Sequence, residues 1–225
     1  MKISLVIPVY NEEKYLKNCL WAITNQKVKP DEVIIVDNNS QDNSLKIIAQ
    51  FYNKLPIKII HQKKQGVIFA RNRGFNIASG DIIVRTDADT QQKDDWLYQI
   101  KKNFSKKNLD ALTGPVVFYD LPFPSPFYSK ILIYLFKITT GCFPLFGPGL
   151  AITKKAWQKI KNEVCLDEKK VHEDMDLSIH LKNNGFKIHY DPNFISYASG
   201  RRIKNNPLSF FVEYPIRALK MLFLH

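Results

Sequence analysis

Four short apolar runs, each separated from the next by a helical pattern, constrain this chain more than any other feature. Residues 3–9, 32–36, 57–61 and 81–86 read as strands, because they are short, rich in β-branched side chains and bounded by polar turns. Residues 12–26 carry Leu16, Cys19, Leu20 and Ile23 at helical spacing. Asp42 and Ser44 offer caps for a second helix through Leu45, Ile47, Ile48 and Phe51, and residues 67–78 read as a third. Strands that are apolar throughout are covered on both faces. The alternation therefore predicts an α/β domain with a mainly parallel central sheet.

In such sheets, ligands bind in the crevice beyond the carboxyl ends of the strands. Chemistry-bearing residues fall at those ends here. The first strand runs into Pro8-Val9-Tyr10-Asn11-Glu12, and the second ends at Asp37. The Asp37 carboxylate could accept an N–H from a nucleobase, or simply lead the next helix. The fourth strand runs into Asp87-Ala88-Asp89, two carboxylates two residues apart and facing the crevice. Hard oxygen ligands in that setting suit Mg²⁺ or Mn²⁺ bridging a diphosphate. Taken alone, the pair would favour the reading of a solvated acidic turn. Arg71 and Gly74 fall on the third helix near the crevice. Arg71 could pair with a diphosphate or with the acidic cluster, or be a surface charge. His172-Glu173-Asp174-Met175-Asp176 opens a later helix, where acidic side chains are electrostatically favoured.

Composition narrows the partners. The formal net charge of +12 suits an anionic partner, whether nucleic acid, acidic membrane or phosphorylated ligand. A basic module without chemistry explains the charge but not acidic groups at successive crevice positions, and no nucleic-acid partner is expected. No G-x-G-x-x-G turn follows the first strand, which argues against a dinucleotide-dependent oxidoreductase. The first strand also lacks the glycine-rich basic loop of a nucleotidyltransferase. Cys19, Cys142 and Cys165 lie far apart and read as free thiols in a reducing cytosol. The first residues lack the pattern of a signal peptide.

The second half changes character. Residues 121–127 are rich in proline and aromatics. Residues 131–146 are strongly apolar, but Lys137, Gly141 and Pro144 interrupt them, and the run is shorter than the roughly 20 residues of a membrane helix. Gly147-Pro148-Gly149 then leads into a short apolar run at 150–153 and a basic helix over 154–161. The tail mixes Phe210, Phe211, Tyr214 and Leu219 with Arg217 and Lys220. Together these segments suit contact with an anionic membrane surface, or packing on the sheet or an oligomer interface.

The ordered set of motifs resembles the family 2 glycosyltransferases, inverting enzymes with the GT-A fold, a Rossmann-like three-layer α/β/α arrangement. The resemblance rests on Val6 to Glu12, Val36 to Ser40, Ala70 to Gly74, Asp87 to Asp89, Gly147 to Thr153 and Glu173-Asp174. It implies a GT-A domain over 1–200, with a nucleotide-sugar half at 1–110 and an acceptor half at 111–200, followed by a basic-aromatic tail at 201–225. It implies that Pro8, Tyr10 and Glu12 line the nucleotide pocket and that Asp37 reads the base, most often uracil. Arg71 would lie beside base and ribose. Asp87 would face the ribose, a phosphate or the metal, and Asp89 would bind the Mg²⁺ or Mn²⁺. Gly149 would let sugar and acceptor approach the backbone. Asp174 would be the general base, with Glu173 beside it touching acceptor or sugar. Many relatives carry a histidine after the last core strand. Here that place reads Ser199-Gly200-Arg201-Arg202, so Arg201 and Arg202 would supply positive charge to the diphosphate. The implied reaction moves a sugar from a nucleoside diphosphate sugar, expected to be a UDP-sugar, to a hydroxyl of a saccharide or lipid-linked acceptor, as in envelope polysaccharide assembly. The implied location is the cytoplasm, at the inner face of the plasma membrane. The alternative is an inactive GT-A-like module that binds nucleotide or membrane.

Overall fold

The computed structural model describes residues 1–122, 125–168, 170–206 and 208. The four apolar runs form β1 (Ile3–Val9), β2 (Glu32–Asp37), β3 (Ile57–His61) and β4 (Ile82–Arg85); β1 pairs with β2 and β4, and β2 with β3, all in parallel. Between them lie α1 (Leu16–Thr24), α2 (Ser44–Ala49) and α3 (Val67–Ile77). α1 begins later than the pattern over 12–26 suggests. Glu12 to Tyr15 form turns, with the Leu16 N–H donating to the Glu12 carbonyl. After α4 (Trp96–Lys106) come β5 (Ala111–Thr113), β6 (Val116–Phe118), α5 (Phe127–Thr140), β7 (Leu150–Thr153), α6 (Lys154–Ile160), α7 (Glu173–Asn183), β8 (Ile188–Tyr190), β9 (Ser196–Ala198) and α8 (Arg201–Asn205).

The main sheet has the order β3-β2-β1-β4-β7-β5-β8. Only β7 runs against its neighbours, pairing antiparallel with β4 and β5. Alternation along the strands sorts their side chains onto two covered faces. Ile3, Leu5, Ile7 and Val9 of β1 pack with Leu16 and Leu20 of α1, Ile48 of α2, and Trp96, Leu97 and Ile100 of α4. Val6, Ile34 and Ile83 face the other way, onto Phe75 of α3, Trp157 of α6, and Leu177 and Leu181 of α7. This is a three-layer α/β/α architecture.

Register opens the crevice. β4 pairs with β1 only as far as Val6 opposite Arg85, whereas β2 follows β1 to Val9 opposite Asp37. β1 therefore overhangs β4. The Val6 carbonyl still accepts from Thr86, and Pro8, two residues on, faces the same side beyond the end of β4. A proline is tolerated there because no ladder hydrogen bond is lost. Asn11 and Asn39, just past β1 and β2, take positive φ of 52° and 69°, a conformation asparagine adopts more readily than most residues. The two loops are tied together there. The Asn11 Oδ1 accepts from the Gln41 N–H at 2.8 Å, and the Glu12 N–H donates to Ser44 Oγ at 2.8 Å.

Only the first part of the apolar run at 131–146 lies in α5, which is closed by Gly141 in the left-handed region at φ 77°. No helix among the described residues is long and apolar enough to cross a membrane. Arg201 to Asn205, the start of the expected tail, are helical. From residue 207 on, apart from Leu208, that tail lies outside the described residues, as do Phe123 and Pro124.

Candidate active site

Arg85 organises the site, and it follows from the alternation of β4. Ile83 faces α3, α6 and α7, so Arg85, two residues on, faces them too. A guanidinium buried at the end of an apolar strand requires counter-charges. Arg85 finds two. It pairs with Asp87 Oδ1 at 2.9 Å, and its Nη1 forms a close ion pair with Glu173 Oε1 at the start of α7. Burial works against its charge, but Asp87 and Glu173 together raise its pKa. The sequence reading missed this residue. Its signal was a lone arginine on a buried strand position, two residues before Asp87.

Glu173 is shared with Arg71. Arg71 is fully buried, its Nη1 donating to the Glu173 carbonyl at 3.0 Å and lying 3.0 Å from Glu173 Oε2. Two expectations change here. Arg71 meets the acidic cluster and is closed to solvent instead of lying open beside a base and ribose. Its Nε and Nη2 find no hydrogen-bond partner among the described residues. Glu173 does not reach out toward an acceptor or sugar, because two arginines hold it inward. Burial disfavours its charge, yet Arg85 and Arg71 keep its carboxyl below the ordinary range.

Asp174 is held differently. Its Oδ2 accepts from the Gly147 N–H at 2.8 Å and its Oδ1 from the Met175 N–H at 2.9 Å. Burial, then the charge of Glu173, pushes its carboxyl up. Adjacent carboxylates are thus driven in opposite directions, a pattern common in acid–base sites. The glycine expectation shifts by two residues. A Cβ on Gly149 would stand 1.8 Å from Ser196 Oγ and 3.3 Å from Trp96, so its smallness serves internal packing. Gly147 is the glycine against the charged site, where a Cβ would meet Arg85 Nη2 at 2.8 Å and Asp87 Oδ2 at 3.2 Å.

The second small sheet completes the site. β6 and β9 pair in parallel, and Thr90 bridges to Ala198. That bridge brings Arg201, at the head of α8, over the Asp87-Ala88-Asp89 turn. Arg201 Nε lies 2.9 Å from Asp89 Oδ2, and Nη1 donates to Glu12 Oε2 at 2.7 Å. The guanidinium also stacks 4.7 Å from the Tyr15 ring centroid. Arg202 is exposed on α8. Burial, then the neighbouring Asp87 charge, raises the Asp89 carboxyl to about 7, even with Arg201 opposing. The turn itself is pinned. The Asp87 carbonyl accepts from Thr90 Oγ1 at 2.8 Å and from the Cys19 thiol at 3.5 Å. Burial pushes that thiol up to about 12, so it is inert.

The base-side residues line the overhang. Asp37 is buried, accepts from the Ser40 N–H at 3.2 Å and pairs with His61 at 3.2 Å. Tyr10 is exposed and Pro8 half-buried at the lip. No group of three or more His, Cys, Asp or Glu side chains converges as a metal site among the described residues. Asp87 and Asp89 nevertheless fit a cation that brings its own phosphate ligands. Such ions take one or two carboxylates from the protein, and Asp89 is a carboxylate whose charge the protein leaves poorly compensated.

The model for Glycosyl transferase family 2 matches residues 4–152. The chain belongs to this family. The glycosyltransferase AglE of Haloferax volcanii is 37% identical over 121 residues, covering 52% of this chain and 40% of that protein. A Methanococcus voltae enzyme, a dolichyl N-acetyl-α-D-glucosaminyl phosphate 3-β-D-2,3-diacetamido-2,3-dideoxy-β-D-glucuronosyltransferase, is 28% identical over 222 residues. That match covers 86% of this chain and 65% of the enzyme. The chain thus matches less than two thirds of the length of either relative. In fold, the chain is similar to the mannosyltransferase PcManGT of Pyrobaculum calidifontis, solved with GDP-Man and Mn²⁺. The TM-score is 0.70 at 20% identity, covering 88% of this chain and 56% of that one. The fold is GT-A.

Proposed function

We propose that this chain is an inverting, metal-dependent glycosyltransferase that moves a sugar from a nucleoside diphosphate sugar to an acceptor hydroxyl. The observation that carries the reading is one continuous charged site. Asp89, Asp87, Arg85 and Glu173 run from the end of β4 to the start of α7, and Asp174 stands beside them. In this reading Asp37, Tyr10, Pro8 and Glu12 form the nucleoside side, with uridine as the expected base. Asp89 and Asp87 would hold a divalent cation, whose positive charge would stabilise the diphosphate leaving group. Arg201 adds a guanidinium suited to the same anion, with Arg202 next to it.

Asp174 is the proton acceptor. Its raised pKa makes it a stronger base than an ordinary carboxylate. The acceptor oxygen bonds to the anomeric carbon as the bond from that carbon to the phosphate oxygen breaks. The hydroxyl proton passes to Asp174, and the electron pair leaves with the nucleoside diphosphate. Attack opposite the leaving group inverts the centre. Glu173 acts as a positioning residue, fixing α7 against Arg85 and Arg71 so that Asp174 is presented at the mouth.

A saccharide or lipid-linked acceptor fits this reading, because the Methanococcus voltae relative is named for a dolichyl-linked sugar phosphate. Such an acceptor would be met at the cytoplasmic face of a membrane, as in envelope polysaccharide assembly. The test is a nucleotide-sugar panel with Mn²⁺ or Mg²⁺, scoring free nucleoside diphosphate for wild type and Asp89→Ala. Metal-dependent release from one donor, lost in the variant, is expected. Nucleotide binding without release from any donor, with saccharide and lipid-linked acceptors supplied, favours the inactive module.

A further inference from the structure

The exposed face of α5 is not used by the site. Phe127, Ile131, Leu135 and Ile138 follow one another at helical spacing, with Leu132 and Tyr134 on either flank. These six are 42% to 79% exposed. The opposite side of the helix is ordinary core. Ile133 is fully buried, and Phe136 packs with Cys142, Val171 and Ile179. Single exposed apolar side chains are normal, but six contiguous large ones on one helix mark a binding surface.

We propose that this face docks on an anionic lipid bilayer, lying on it without crossing it. Charge selects the occupant. Between Asp120 and Glu163 the sequence has no carboxylate side chain, but it has Lys130, Lys137, Lys154, Lys155, Lys159 and Lys161. Lys137 is exposed on α5 itself, its ammonium 4.3 Å from the Phe143 ring centroid. In space, Lys130 and Lys137 of α5 and Lys182, which donates to the Thr140 carbonyl at its C-terminal end, border the apolar stripe. This pattern matches the headgroup boundary of an anionic leaflet, where chains enter the acyl edge and ammonium groups meet phosphates. A second copy of this chain is disfavoured, since it would bring the same lysines and the same net charge of +12 against them. Spanning is excluded by length. The 14 residues of α5 reach about 21 Å at the usual helical rise, short of the roughly 30 Å hydrocarbon core.

The placement bears on the site. The chain leaves α5 at Gly141 and within six residues reaches Gly147, whose N–H holds Asp174. A bilayer under α5 would therefore lie a six-residue connection away from the loop that holds Asp174. The docking itself depends on no step of sugar transfer.

The experiment is co-sedimentation of the full chain with vesicles of three parts phosphatidylcholine to one part phosphatidylserine. Binding is expected with these vesicles, weakened by high salt and absent with phosphatidylcholine alone. The Leu135→Ser/Ile138→Ser double variant, and independently Ile138→Glu, should lower partitioning roughly tenfold while melting like wild type. Unchanged partitioning in both would overturn the proposal. So would a dimer seen by light scattering that the double variant abolishes, since a second copy would then cover the face. A third contrary result is loss of binding only when the chain is cut after Asn206, which would assign the contact to the tail.

Discussion

Two arginines hold the two carboxylates of the Asp87-Ala88-Asp89 turn, and they do so in opposite ways. Arg85 stands on a strand, its side chain 3% exposed, and is clamped between Asp87 and Glu173. Arg201 heads a five-residue helix, its side chain 32% exposed, and reaches Asp89 and Glu12 from across the crevice. The outcomes differ accordingly. Glu173, beside two fixed guanidinium groups, keeps its charge easily, while Asp89, with only Arg201 against it, is pushed up to about 7. One side is structure, and the other is an incompletely neutralised carboxylate pair. That unmet negative charge is what a divalent cation would satisfy, leaving Arg201 to turn toward the diphosphate.

The largest test of this contrast is Glu173→Gln. It leaves Arg85 and Arg71 buried without their shared counter-charge, and breaking such a pair typically costs about 3–5 kcal/mol. Urea denaturation should show that loss, and a change below about 1 kcal/mol would erase the distinction between the two sides. Acid titration probes the same group. The Glu173 pKa is depressed, so its stabilisation is complete above the unfolded value of about 4.3 and disappears as pH falls through the lower folded value. The gap between wild type and Glu173→Gln should therefore narrow below about pH 4, and a gap that widens there contradicts the assignment.

Asp89→Asn should behave oppositely, stabilising the metal-free protein at pH 8 by about 1 kcal/mol because it removes a poorly compensated charge. Thermal melting without divalent ions measures this, and a destabilisation comparable to that of Glu173→Gln would refute it. Smallest in stability is Arg201→Gln, expected to change unfolding by less than about 1 kcal/mol because the pair is partly exposed. Calorimetry should resolve its functional effect, with weaker nucleoside diphosphate binding and Mn²⁺ binding alone retained or tightened. Unchanged nucleotide affinity would remove Arg201 from the diphosphate role.

The same contrast explains how far the sequence could be read. β1, β2 and β4 were legible as mostly apolar runs and β3 as an apolar run broken by the exposed Lys58, and the acidic residues at the ends of β2 and β4 fall at the crevice by position alone. The three-residue strands β5, β6 and β9 are too short to carry a period. The antiparallel insertion of β7 between β4 and β5 is a long-range choice that no local pattern encodes. Arg201 was legible as a basic residue after the last strand, but its placement on Asp89 depends on the Thr90–Ala198 bridge. Arg85 and Gly147 were missed for a related reason. Their roles come from what α7 presents to β4, and Gly149, equally small in the sequence, is consumed by packing on Ser196.

The most direct measurement compares wild type with Asp174→Asn. It pairs nucleoside diphosphate release in the presence of donor, Mn²⁺ and acceptor with donor affinity measured separately. The account predicts that the variant binds the donor normally and loses transfer by two or more orders of magnitude, in the roughly 10²–10⁴ range of a general base. Transfer at near wild-type rate, with the fold intact, would contradict it.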